Sequence, residues 1–349
     1  MNVILPEVKL SEFGEFALIE LIHDITGKFK NIQQTSWQQL LIGIGDDTAA
    51  WQGDNHIQLA TTDSMVQGTH FDLNNITWEE LGWKAMAVNL SDIAAMGGTP
   101  KYALLSVALP GELEVENVAQ FCHSTASLAA KFGVAIVGGN VSTAPNIVIT
   151  ITVFGSSKTR SILKRSTATP GEQIAVTGSL GLSAAGLKMF KEKINLDAQT
   201  AGILRKAHLQ PVPRIKEGQI LAQHGVKTAI DISDGLIADL EHICEASKVG
   251  AKIKVAQVPV HPLVKANFPD YRELALYGGE DYELLFTADR NIIAQVRKAL
   301  NYPIAIIGDI VEEALPDRIT LLDHKGNTIP ANNRGWEHFR SEIPEDKFV

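Results

Sequence analysis

A chain of 349 residues, 45% hydrophobic and 20% charged, has room for two ordinary domains with their own cores, and this composition excludes disorder. Its net charge of −9 excludes the basic stripe of a general nucleic-acid binder. The two cysteines, Cys122 and Cys244, form neither a disulfide framework nor a CxxC metal site.

In chain order, residues 57–62 are a β-rich run that ends in Asp63. Thr77 and Glu80 have capping-box spacing, and Met86, Leu90 and Ile93 follow at helical spacing up to a stop at Gly97 and Gly98. A strand over 103–109 and a helix to about Lys131 come next, then strands over 134–137 and 147–154. This first half reads as an α+β module whose strands pair both antiparallel and parallel. Residues 156–170, rich in Ser, Thr and basic side chains, lack a period and mark the boundary. A second α/β unit follows, with strands at 173–177, 228–232, 284–286 and 304–307 and helices at 182–190 and 236–247. The expected division is 1–158 and 159–349. No apolar run nears the ~20 residues that span a bilayer, and the first residues have no basic-then-apolar leader, so the expected setting is the cytoplasm.

The carboxylates carry the chemistry. Residues 41–45 run into Asp46 and Asp47, and 57–60 run into Thr61, Thr62 and Asp63. Asn89 and Asp92 stand three apart on one helix face, and Ala229–Ile230 leads to Asp231, Ser233 and Asp234. Taken singly, an Asp after a strand is a turn residue or helix cap. Four such clusters interleaved with hydroxyls call for a neutralising partner, because assembled carboxylates repel. Few Lys or Arg residues adjoin them, so a divalent cation is expected. Oxygen donors without His or Cys favour magnesium over zinc, and magnesium pairs with substrate phosphates.

Familiar nucleotide motifs are missing. The sequence contains no GxxxxGK[ST] loop and neither the HRD nor the DFG signature of protein kinases. Gly178-Ser179-Leu180-Gly181 is a tight turn, not GxGxxG. Gly138-Gly139-Asn140, placed after the 134–137 strand, permits close backbone approach to a phosphate, a weak signal alone.

Taken together, Gly43–Asp47, Thr61–Asp63, Val88–Gly97, Asp231–Leu236 and Gly278–Leu284 resemble the thiamine-monophosphate kinase family, in one order and over nearly the whole chain. The resemblance implies ATP-dependent conversion of thiamine monophosphate to thiamine diphosphate. It also implies the two-domain aminoimidazole ribonucleotide synthetase-like fold: an N-terminal ATP- and magnesium-binding domain whose mixed sheet pairs across a homodimer, and a C-terminal α/β domain that completes the site. By motif position, Asp46, Thr61, Thr62, Asp63, Asp92, Asn140, Asp231 and Asp234 would hold several magnesium ions. Gly139, Asn140, Arg165 and Ser233 would face ATP, and His70, Glu280 and Trp336 the thiamine portion. The resemblance further implies that Asp63, Asp92, Asp231 and Arg165 serve the transfer itself.

The family usually has Asp where this chain has Asn140, which predicts weaker occupancy of one ion position. The expected chemistry is direct in-line transfer without a phosphoenzyme, since the acceptor phosphate is already ionised. Selenophosphate synthetase would need an N-terminal reactive Cys, and the hydrogenase-maturation relative a C-terminal one; this chain has neither. The remaining alternatives are another ATP-using enzyme of the superfamily, a weakly active nucleotide-binding regulatory protein, or a metallophosphatase.

Overall fold

The protein is seen here as a computed structural model that describes residues 8–13, 15–31, 34–42, 50, 51, 53, 55–157, 162–313 and 318–330. Asp46 and Trp336, both expected site residues, lie outside the described residues.

The first half is a four-stranded sheet in the order Ile57–Val66, Val148–Ser157, Thr99–Leu109, Ala135–Thr143. Only the pair Thr99–Leu109 with Ala135–Thr143 is parallel. Two expectations about this sheet are corrected. The first strand does not end at Asp63: its antiparallel ladder runs unbroken from Ile57↔Ser157 to Val66↔Val148, so Asp63 stands mid-strand. Gly138, Gly139 and Asn140 likewise lie inside a strand, because beyond a bulge the ladder resumes with Leu104↔Gly138 and runs to Leu109↔Thr143. Gly139 tolerates no side chain there, since a Cβ would come within 1.8 Å of the Leu105 carbonyl oxygen.

Helices Trp78–Ala95, Val115–Lys131 and Glu15–Gly27 pack on and beside one face of this sheet. The Trp78–Ala95 helix starts at the expected capping box: Glu80 N donates to Thr77 Oγ1, and Thr77 N donates to Glu80 Oε2. Leu81, Met86, Leu90 and Ile93 are fully buried, each contributing about 1.5–3 kcal/mol of apolar burial. The opposite face of the sheet carries a small aromatic cluster in which Trp51 stacks on Tyr102 with ring centroids 4.6 Å apart.

The second half is a seven-stranded sheet, ordered Thr328–Ile329, Ile319–Leu322, Val249–Lys254, Ile304–Glu312, Gln173–Thr177, Leu284–Ala288, Thr228–Asp231. Alternation splits its two faces between two cores. Ala175, Ala229, Leu284 and Phe286 join the core that contains the Trp78–Ala95 helix. Ile174, Val176, Ile230 and Leu285 join a second core with helices Leu182–Lys191 and Leu236–Ser247. One apolar cluster therefore runs from the first sheet into the second, with the Trp78–Ala95 helix between them.

Candidate active site

That helix is apolar nearly all round, and its few polar side chains point two ways. Asn89 and Asp92 address the edge strand: Asp63 N donates to Asn89 Oδ1 at 3.0 Å, and Thr61 Oγ1 donates to Asp92 Oδ2 at 2.5 Å. Asn89 is held in turn by donating from Nδ2 to Ala85 O. Lys84 and Ser91, seven residues apart and hence on one face, address the second half. Ser91 Oγ donates to Asp231 Oδ2 at 2.7 Å, and Lys84 Nζ lies 2.7 Å from Glu280 Oε1. A single helix thus draws Asp63 and Asp231 together from the two sheets.

Asp231 ends its strand, and the chain beyond it zips against the 280–283 segment. Ile232 N donates to Glu283 O, Tyr282 N to Ile232 O, and Glu280 N to Ser233 O, all at 2.8 to 2.9 Å. A Cβ on Gly279 would stand 2.3 Å from Ser233 O, so only glycine permits this approach. Glu280 and Tyr282 take left-handed backbone angles, with φ of 66° and 50°, a local strain the zipped loop must hold. Behind it, Asp239 Oδ2 accepts from the N–H groups of Ser233, Asp234 and Gly235, each at 3.1 Å. This carboxylate fixes the loop from inside the next helix.

The electrostatics follow from that assembly. Asp231 is buried, and desolvation followed by the Asp92 charge raises it to about 7, against the lowering effects of Ser91 and Arg165. Asp63 is raised to about 7 by desolvation, then by Asp92 and Asp234. Its side chain still reaches water, with the carboxylates of Asp92 and Asp234 beside it. Asp92 is raised by burial despite Thr61, Asp63 and Arg165. Asp239 is raised well above the usual range by burial, Asp231 and Asp234. All four carboxyls are raised because burial and neighbouring acids outweigh the little positive charge around them.

Of the expected residues, the structure brings together Thr61, Asp63, Asp92, Asp231, Asp234 and Ser233, with the exposed Arg165 near enough to act on Asp92 and Asp231. Glu280 and His70 form a neighbouring group, since the His70 charge lowers Glu280. His70 Nδ1 accepts from Val66 N at 3.0 Å, which leaves the proton of a neutral ring on Nε2. Thr62, Gly139 and Asn140 are not brought to the acids within one chain. Strand alternation turns Thr62 to the sheet face opposite Asp63, where its hydroxyl meets Ile151 O and Thr152. Asn140 lies in the cross-strand row Ser64, Thr150, Ser106, Asn140, three strand spacings or about 14 Å from the edge that carries Asp63.

Sequence reading missed Lys84, Asp239, His208 and Asp281. Asp281 accepts from Gly181 N at 2.7 Å and from Ser183 N at 3.1 Å, capping the Leu182–Lys191 helix from a hundred residues away. The one available signal was Lys84, a charged residue in an otherwise apolar stretch of helix.

The profile of the AIR synthase related protein N-terminal domain matches residues 45–157, and that of the C-terminal domain matches 169–317. The thiamine-monophosphate kinase of Bacillus subtilis (strain 168) is 34% identical over 329 residues, covering 92% of this chain and 99% of that protein. The crystal structure of thiamine-monophosphate kinase from Stenotrophomonas maltophilia K279a superposes with a TM-score of 0.77 at 32% identity, covering 90% of this chain and 98% of that one. A structure described as AaThiL complexed with AMPPCP and TMP gives 0.72 at 32% identity, covering 96% and 100%. With its two AIR synthase related domains and this likeness over nine-tenths of its length, the chain belongs to the thiamine-monophosphate kinase family.

Proposed function

We propose that this chain uses ATP to phosphorylate thiamine monophosphate to thiamine diphosphate, by direct in-line transfer that depends on magnesium. The observation that carries the reading is the meeting of Asp63, Asp92, Asp231 and Asp234 from both halves of the chain, with the Asp63 and Asp231 carboxyls raised to about 7, Asp92 raised by burial, and one nearby arginine. Supporting it, a relative structure is described as holding AMPPCP and TMP.

The donors fit magnesium. They are carboxylates and a hydroxyl without sulfur, the one imidazole near them being His242 beside Asp234 and Asp239, and the raised pKa values of Asp63 and Asp231 mark a site short of positive charge. Asp63, Asp92, Asp231 and Asp234 would hold the ions, with Asp46 and Thr61. When bound, magnesium neutralises the two phosphates and lets them approach in line.

The chain's own groups do the rest. Asn89 fixes the backbone at Asp63, Ser91 fixes the Asp231 carboxylate, and Asp239 holds the 233–235 loop with Ser233 towards the nucleotide. Arg165 adds a positive charge beside Asp92 and Asp231, suited to a polyphosphate. His70 and Glu280, with Trp336, would take the thiamine portion. No general base is needed, because the attacking phosphate oxygen is already ionised. In this reading residues 1–158 bind ATP and the ions and pair with a second copy, and 159–349 complete the site. Thr62, on the opposite sheet face from Asp63, and Gly139 and Asn140, across the sheet from it, would then serve a nucleotide held where two sheets meet. The setting that suits this activity is the cytoplasm; among the described residues no helix is long and apolar enough to cross a membrane.

Incubation with ATP, magnesium and thiamine monophosphate is expected to yield thiamine diphosphate and ADP. Free phosphate without acceptor, or nucleotide binding without turnover, would overturn the reading. The latter outcome is what a regulatory nucleotide binder would give, a second reading favoured only by Asn140.

A further inference from the structure

We propose that Lys84, with His208, is a positioning residue that presents Glu280 as a hydrogen-bond acceptor for the exocyclic amino group of the acceptor's pyrimidine ring. The inference rests on Glu280 facing the thiamine portion, as read above.

Lys84 is 1% exposed, inside a helix whose neighbouring turns are apolar. Burying an ammonium group costs several kcal/mol, and an apolar residue of similar size would pack at least as well there. Its ion pair therefore needs a reason beyond stability. Glu280 supplies one, because its carboxylate is gripped at both oxygens. Oε1 lies 2.7 Å from Lys84 Nζ, and Oε2 lies 3.3 Å from His208 Nδ1, which also has Ser183 Oγ at 3.1 Å. The backbone is gripped as well, by the Glu280 N to Ser233 O bond and the strained left-handed angle.

The side chain nevertheless keeps 32% of its surface open. A carboxylate has about four lone-pair sites, and Lys84 takes one here, so the open ones accept from whatever binds beside His70. The character of that acceptor follows from the charges. Lys84 keeps Glu280 ionised against burial, while burial and Lys84 push His208 down to about 4, so His208 lies beside the carboxylate without a charge. The Glu280 charge is balanced by one cation. What remains is directional acceptance, which selects an N–H donor and rejects an oxygen acceptor at the same ring position.

The test uses the full-length protein with thiamine monophosphate and with its analogue bearing a 4-oxo group in place of the 4-amino group. Wild type is expected to prefer the amino compound by more than about tenfold in kcat/KM, and E280Q to lose most of that preference. K84M is expected to raise KM for thiamine monophosphate about tenfold or more and to reduce the preference as E280Q does, with KM for ATP within about twofold of wild type. K84R is expected to recover part of both. A K84M protein with lowered thermal stability but unchanged acceptor KM and preference would make Lys84 merely structural and sink the proposal. If K84M does not fold, H208Q decides: a partial loss of preference supports the positioning role, and an unchanged preference overturns it. Unchanged acceptor KM and preference in E280Q would instead remove the underlying assignment of Glu280.

Discussion

Ser91 Oγ donates a 2.7 Å hydrogen bond to Asp231 Oδ2, joining a helix of the first sheet's layer to a strand end of the second. It is a polar stitch between the halves, placed at a fully buried acid. Ser91→Ala removes the donor and leaves that oxygen without it, at a cost of about 1–3 kcal/mol. Urea unfolding measures the cost. The same variant should need more magnesium for half-maximal turnover, because Asp231 then holds its proton more tightly.

Burial and then the Asp92 carboxylate hold the Asp63 pKa up, so an ionised Asp63 is a liability to the ion-free fold. Asp63→Asn should leave the melting temperature in EDTA unchanged or higher while turnover falls about 100-fold or more, the scale of losing a charge-stabilising group. A variant that melts earlier and keeps its turnover would reverse the assignment.

Asp63, Asp231 and Asp281 bind protons more tightly folded than unfolded, with pKa values of about 7 against a reference of 3.8. Their contribution is complete below about pH 4 and is lost as pH rises through 7. His208 acts oppositely: lowered to about 4 from 6.5, it contributes fully above 6.5, and that contribution is lost as pH falls towards 4. Three acids against one imidazole predict that stability in EDTA declines from about pH 5 to pH 8. Saturating magnesium should flatten that decline, and its binding near pH 6.5 should release protons, measurable by calorimetry in buffers of different ionisation enthalpy.

By the motif resemblance, Asn140 stands where an Asp is expected. Asn140→Asp adds a carboxylate at the far edge of the four-stranded sheet and should lower the magnesium concentration for half-maximal activity. Superimposable magnesium curves for the two proteins would remove Asn140 from the ion site.

Glu283 is buried next to the strained loop and is tied to Arg214 Nη2 at 2.7 Å, Tyr302 Oη at 2.8 Å and Thr177 Oγ1 at 2.6 Å. Arg214→Met strands the carboxylate, and loss of a buried partner costs about 3–5 kcal/mol. A thermal melt should show the loss clearly, whereas Arg214→Met combined with Glu283→Gln should recover much of it.

Elements were legible in the sequence wherever a local rule sets them. The Thr77–Glu80 capping box, the helix stop at Gly97 and the short apolar strand at 173–177 all depend on neighbours a few residues away. The three-residue spacing of Asn89 and Asp92 likewise put both on the face that meets Thr61 and Asp63. Strand ends were not legible in this way. Asp63 and Asn140 looked like residues after strands, and only pairing with partners up to about ninety residues away carried the strands through them.

Residue types and their order thus determined the family and the motifs that carry its acids, because charge and motif spacing are written along the chain. The tertiary structure alone decided which acids share a field and which lie across the sheet, and it alone revealed Lys84, His208, Asp239 and Asp281 as supports. Those four act on partners distant in sequence, apart from Asp239, whose hold on the 233–235 loop requires the loop's folded curvature. The physical reason is that a pKa or an ion pair depends on separation and solvent in three dimensions, and neither is recorded by sequence distance.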